Sequence, residues 1–149
     1  MTAGEYCNRE VIITGQDASV TEAAVLMKQH HVGDLVVVEK QGEKTLPIGI
    51  ITDRDIVVGI IAQKADPDSS IIKDIMSTDL IMVDEKESLL DTLALMQKRG
   101  IRRIIVVDGQ KNLQGILSAD DAIELIAEAM NNLTKLVKQE LTREEKEQL

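Results

Sequence analysis

Two stretches of the 149-residue chain end an apolar run on a hydroxyl and set an aspartate three places later. They are "GIITDRDI" (49–56), with Thr52 and Asp55, and "GILSADDA" (115–122), with Ser118 and Asp121. A Ser or Thr before a helix accepts a hydrogen bond from a first-turn amide, and an acid three residues on can return the bond, so the pattern is at the least a helix start. A hydroxyl and a carboxylate held this way are also the groups that grip a polar ligand. Arg54 lies inside the first stretch, and "GIRRIIVVD" (100–108) adds Arg102 and Arg103. Their planar forks suit phosphate or carboxylate oxygens.

Reaction chemistry has no comparable pattern. The chain carries no Gly-x4-Gly-Lys-Ser/Thr loop, no Ser/His/Asp arrangement and no Cys/His metal spacing, so neither catalysis nor a required cofactor is expected. His30 and His31 end a predicted helix with no second ligand cluster, which predicts no metal site. Cys7, the single cysteine, has no partner base nearby, excludes an internal disulfide and fits a reducing compartment.

Composition narrows the partners. Lys and Arg number 17 against 26 Asp and Glu, a formal charge of −9, and a negative field repels a polyphosphate backbone. Tyr6 is the only aromatic residue, whereas single-strand binders stack bases on several, so nucleic acid is not an expected partner. Apolar runs such as "LVVV" (35–38) fall far short of the roughly 20 residues of a membrane span, and no signal-peptide pattern opens the sequence. A cytoplasmic protein with no membrane contact is expected. At 44% hydrophobic residues the chain can bury a core of ordinary size.

The elements that must carry these residues occur twice. "MKQHHVGDLVVVE" (27–39) lies over "MQKRGIRRIIVVD" (96–108), with Met27 on Met96 and Glu39 on Asp108, an offset of 69. "DASVTEAAVLM" (17–27) over "KESLLDTLALM" (86–96) keeps that offset. "GIITDRDIV" (49–57) lies over "GILSADDAI" (115–123) at 66, so the first copy is expected to carry a loop three residues longer, in "KQGEKTLP". Each copy predicts a short strand (10–14; 80–83) and an amphipathic helix with Val20, Ala23, Ala24 and Met27, or Leu89, Leu93 and Met96, on its apolar face. Two strands follow (34–39 and 47–52; 103–108 and 113–118), then a second helix after Thr52 or Ser118. The order β-α-β-β-α, twice, predicts an α/β (α+β) fold of two repeats packed about a pseudo-twofold axis, because units this small seldom stand alone. The division is repeat 1 at 8–64, a connector with Pro67 and two serines at 65–75, repeat 2 at 76–127, and a C-terminal helical extension at 128–149. Met27, Met76, Met82 and Met96 sit at core-like positions. In the extension Ile126, Met130, Leu133 and Val137 recur at spacings of four, three and four, a stripe suited to packing on another helix in a homodimer or back on the chain's own core. The terminal "TREEKEQL" (142–149) reads as a solvated, frayed end.

On the paired helix starts, the strands "DLVVVE" and "RIIVVD" before them and the order of elements, the sequence resembles a tandem of cystathionine β-synthase-type (CBS) domains, a Bateman module, over residues 8 to 127. It departs from the family in lacking the proline common early in the second strand, where Val36 and Ile105 stand. The resemblance implies a regulatory module that binds an adenosyl ligand such as AMP, ADP, ATP, NAD or S-adenosylmethionine in clefts between the repeats, and assembly as a homodimer. Carried over, it implies ligand contacts from Thr52 with Asp55 and Ser118 with Asp121. A carboxylate can accept both hydroxyls of a ribose, and a helix start offers free amides to phosphate. It also implies phosphate contacts from Arg102 and Arg103. Gly33 and Asp34 occupy that place in the first copy, leaving Arg54 as the basic group there and Asp120 opposite it, so unequal clefts are expected. The rival readings are a structural or oligomerisation module with empty clefts that acts through an unidentified target protein, and a small enzyme acting in the Asp-rich clefts.

Overall fold

In the computed structural model, which describes residues 1–148, each repeat forms a three-stranded sheet with helices on one face. A one-turn helix α1 (Ala3–Tyr6) comes first. The first half then runs β1 (Ile13–Thr14), α2 (Val20–His30), β2 (Asp34–Gln41), β3 (Lys44–Thr52) and α3 (Asp53–Ile56), the last continuing as a π-helical turn over Val57–Ile61. A 3-10 turn (Ile72–Asp74) leads into β4 (Met82–Asp84), α4 (Leu89–Arg99), β5 (Arg103–Val107), β6 (Leu113–Ser118) and α5 (Ala119–Glu147). β1 is parallel to β2 and β2 antiparallel to β3, and β4, β5 and β6 repeat the arrangement.

The central strands read as unbroken apolar runs because both of their faces are covered. Leu35 and Val37 face the helices of the first half, and Ile104 and Val106 those of the second. The alternate residues Val36, Val38, Ile105 and Val107 meet between the two sheets in a core of their own. A one-residue register shift falls between Val37 and Val38 and again between Val106 and Val107, so even the bulge is duplicated.

Several boundaries differ from the sequence reading. The first strand of each half has only two or three paired residues, because Asn8 bridges Ile116 of the other half before the chain can join its own sheet. The three extra residues of the first copy are not a longer loop: they lengthen β2 and β3 into a hairpin turned at Gly42 and Glu43, with Gly42 at φ +61°, the left-handed first position that a tight hairpin assigns to glycine. Pro47 is tolerated in β3 because that strand is a sheet edge. On α2 the buried row is Val20, Ala23 and Met27, while Ala24 stays in water. Met27 and Met96 are buried, and Met76 and Met82 are partly so.

The segments preceding each repeat are exchanged. Ala3 and Cys7 are buried in the core of the second half, and Ile72, from the stretch read as connector, is fully buried in the core of the first, with Ile75 and Met76 beside it. Thr2 bridges Ser88 while Ser19 bridges Ile71, and Asn8 bridges Ile116 while Ser77 bridges Ile50. These contacts extend the 69-residue repeat back to residue 2, and their reciprocity is that of a pseudo-twofold axis. They also explain the glycine that opens each signature. A Cβ on Gly49 would lie 2.6 Å from Met76 Sδ, and one on Gly115 would lie 2.5 Å from Cys7 Sγ.

α5 departs furthest from a simple repeat. Its 29 residues correspond to a rod of about 44 Å. Ile126, Met130, Leu133, Leu136, Val137 and Leu141 are each at least half exposed, so the stripe does not fold back on the chain's own core. The run read as frayed is helical through Glu147, and Leu149 lies outside the described residues.

Candidate functional site

The strand register brings the two signatures to one end of the paired sheets. Asp34 opens β2 opposite Thr52, which closes β3; Arg103 opens β5 opposite Ser118, which closes β6. Thr52 and Ser118 are the N-caps of α3 and α5. Thr52 Oγ1 accepts from the Asp55 amide at 3.1 Å, and Asp55 Oδ2 accepts in return from the Thr52 amide at 2.9 Å, a closed capping box. Ser118 Oγ accepts from the Asp121 amide at 3.0 Å, but among the described residues Asp121 returns no such bond. One carboxylate is thus half-committed to its cap and partly buried, while the other is exposed and uncommitted.

The arginines are already paired. Arg103 Nε contacts Asp34 Oδ2 at 2.5 Å, joining equivalent positions of the two repeats across the axis between them. Asp34 is largely sheltered there, its side chain 18% exposed against 47% for Arg103. Arg102 donates to Asp120 at 2.9 Å in a fully solvated pair. The guanidinium of Arg54 is exposed. Its neighbour Asp53 accepts from the Arg54 amide at 2.8 Å, donates its own amide to the Gly33 carbonyl at 2.9 Å and lies close over Gly33, where a Cβ would come within 3.1 Å of Asp53 Oδ2. In the second half the Ala119 amide makes the matching bond to the Arg102 carbonyl at 2.8 Å.

Thr52, Asp55, Ser118, Asp121, Arg102 and Arg103 are therefore gathered around one cross-repeat ion pair. Asp34 is the participant that the sequence reading did not count among the ligand contacts. Its signal was present in the alignment, since opposite charges at equivalent positions of a twofold pair can meet at the axis. A depression of about 230 Å³ between α1, α4 and α5 includes Asp121 together with Tyr6 and Leu125. A wider concavity, about 890 Å³, follows the solvated end of α5 from Leu136 to Glu147 and touches none of these residues. His31 is the left-handed cap of α2, and among the described residues no group of three or more His, Cys, Asp or Glu side chains is placed to hold a metal ion. No helix among them is long and apolar enough to cross a membrane.

A family model described as CBS domain matches the chain twice, over residues 3–62 and 72–128. An uncharacterized protein from Methanopyrus kandleri is 36% identical over 125 residues, covering 84% of this chain and 62% of its own length, so the chain spans about three fifths of that relative. Among solved structures, the CBS domain pair of protein MJ0100, in complex with 5′-methylthioadenosine and S-adenosyl-L-methionine, is 26% identical with a TM-score of 0.74, over 87% of this chain and 98% of that one. The CBS domain protein PAE2072 from Pyrobaculum aerophilum, complexed with AMP, is 25% identical with a TM-score of 0.72, over 81% and 89%.

Proposed function

The chain belongs to the CBS domain family, and we propose that it is a regulatory module that senses an adenosyl ligand in clefts between its two repeats and has no catalysis of its own. One observation carries this reading. The hydroxyl–aspartate pair is built twice, at equivalent helix starts, at one end of the sheet pair and around a shared polar centre. A purely structural cap has no need of that convergence. Asp55 and Asp121 are assigned to the hydroxyls of a ribose, one in each cleft, and Thr52 and Ser118 to the edge of the same ligand. Arg54, Arg102 and Arg103 are the cations within reach of its 5′ group. The adenosyl ligands of two similar structures support the ligand class.

The exposed stripe of α5 supports a second copy as partner. We assign the chain to a homodimer in which these helices pack together, and occupancy reaches any target protein through the relative placement of the repeats. Binding can shift that placement only by the difference in affinity between conformers.

The test is thermal unfolding with and without ligand. A ligand that binds only the native state adds about 2.7 kcal/mol at a hundredfold excess over its Kd, which raises Tm. Protein shown by native mass spectrometry to be ligand-free, with a melt unmoved by AMP, ADP, ATP, NAD and S-adenosylmethionine at millimolar concentration, would favour the rival role as a structural module with empty clefts.

A further inference from the structure

We propose that the clefts take a nucleoside whose 5′ substituent is neutral or cationic, such as a thioether or a sulfonium, in preference to a polyphosphate, and that Asp34 sets this preference. The inference rests on the adenosyl reading above and names the ligand class within it.

Two of the three arginines within reach of a phosphate, Arg102 just before β5 and Arg103 at its start, are already engaged. Arg103 meets the sheltered carboxylate of Asp34 across the axis, and Arg102 meets Asp120. Asp34 is tied into the site from its other side too, because it pairs in register with Thr52, the cap of the neighbouring helix. A phosphate entering here must take the Arg103 fork from a carboxylate that stays beside it, and the displaced Asp34 then repels it. The Arg102 pair is solvated and yields easily, but freeing it leaves Asp120 beside the same anion.

The rest of the site does not reverse the balance. Around the two helix starts Asp34, Asp53, Asp55, Asp120 and Asp121 outnumber Arg54, Arg102 and Arg103, leaving two formal negative charges in excess within a chain that is itself at −9. Helix dipoles offer little compensation. α3 is a single α-helical turn before its hydrogen bonding turns π-helical, and the first turn of α5 already holds Asp120 and Asp121. A thioether meets no such repulsion, and a sulfonium is attracted.

Isothermal titration of the full-length protein with 5′-methylthioadenosine, S-adenosylmethionine and ATP tests this, in wild type and Asp34→Asn. Wild type is expected to bind the first two about tenfold or more tighter than ATP, a gap the size of one charge-assisted contact. Asp34→Asn releases Arg103 and removes a negative charge. It should raise the affinity for ATP relative to 5′-methylthioadenosine about tenfold. ATP binding to wild type as tightly as 5′-methylthioadenosine overturns the inference and leaves the adenosyl reading standing, and so does a variant with an unaltered ratio. If none of the three binds the ligand-free wild type, the adenosyl reading falls and this inference with it. The wild-type ratio is decisive by itself if Asp34→Asn does not fold.

Discussion

Asp55 and Asp121 occupy equivalent positions but do different amounts of structural work, which separates capping from binding. The Asp55 carboxylate accepts from the Thr52 amide, whereas Asp121, among the described residues, only donates its backbone amide to Ser118. Asp55→Ala should cost about 1 kcal/mol of stability, the worth of one net hydrogen bond, and Asp121→Ala close to nothing. Each should weaken ligand at one cleft by roughly tenfold to a hundredfold and spare the other. Calorimetry paired with urea unfolding reads both quantities, and variants that lose stability without losing affinity would reduce the signatures to caps. Cys7 gives a prediction in pH. Burial pushes its thiol above the ordinary value, against a smaller downward pull from Arg9. The folded state therefore favours the protonated thiol, so the stability it contributes is intact below the unfolded pKa of about 8.5 and is lost as pH rises beyond it toward the folded value. Tm measured from pH 8 to 10 should fall more steeply for wild type than for Cys7→Ala, and parallel slopes would show that the thiol does not titrate with unfolding.

At the scale of the element, the two long helices end differently although their sequences are duplicated. α4 closes on Gly100 at φ +64°, where glycine carries no steric cost. α2 closes on His31 at φ +53°, a left-handed conformation that costs a residue bearing a Cβ about 1 kcal/mol or more. His31→Gly should accordingly stabilise the protein by about 0.5 to 1 kcal/mol, net of the added freedom of the unfolded chain. A urea midpoint that stays level or falls would mean that the imidazole makes a favourable contact outweighing the strain.

At the scale of the whole molecule the repeats are inseparable, because each core is completed by the segment preceding the other repeat. Ala3 and Ile72 are both fully buried in this exchange, so cutting the chain between the repeats would open both cores. α5 behaves in the opposite way. Beyond Leu125 every described residue is exposed, so its removal takes nothing from the core. A contiguous apolar stripe of that length in water marks an interface. Truncation after Ala127 should leave the melt of the remaining fold nearly unchanged and convert the proposed dimer to monomer in light scattering. A truncated protein that remains a dimer would place the interface elsewhere, and a full-length monomer would end the dimer proposal.

The duplication, the two signatures and the unbroken strands were legible in the amino-acid order because they are local. A hydroxyl three residues before an aspartate is a cap wherever it occurs, and "LVVV" and "RIIVV" demand cover on both faces. The resemblance to tandem CBS domains rested on those same local patterns. What only the tertiary structure decided are the contacts between residues far apart in the chain. Residues 1–7, which the division left outside repeat 1, and the segment read as a connector became parts of opposite cores, where Ala3 and Cys7 complete the helix-side cluster of the second half and Ile72 that of the first. Arg103 met Asp34 because the pseudo-twofold axis carries the two equivalent strand starts past each other. The charge of a single residue is written in the sequence, but its partner, and so the charge left over for a ligand, depends on which surfaces the fold brings together.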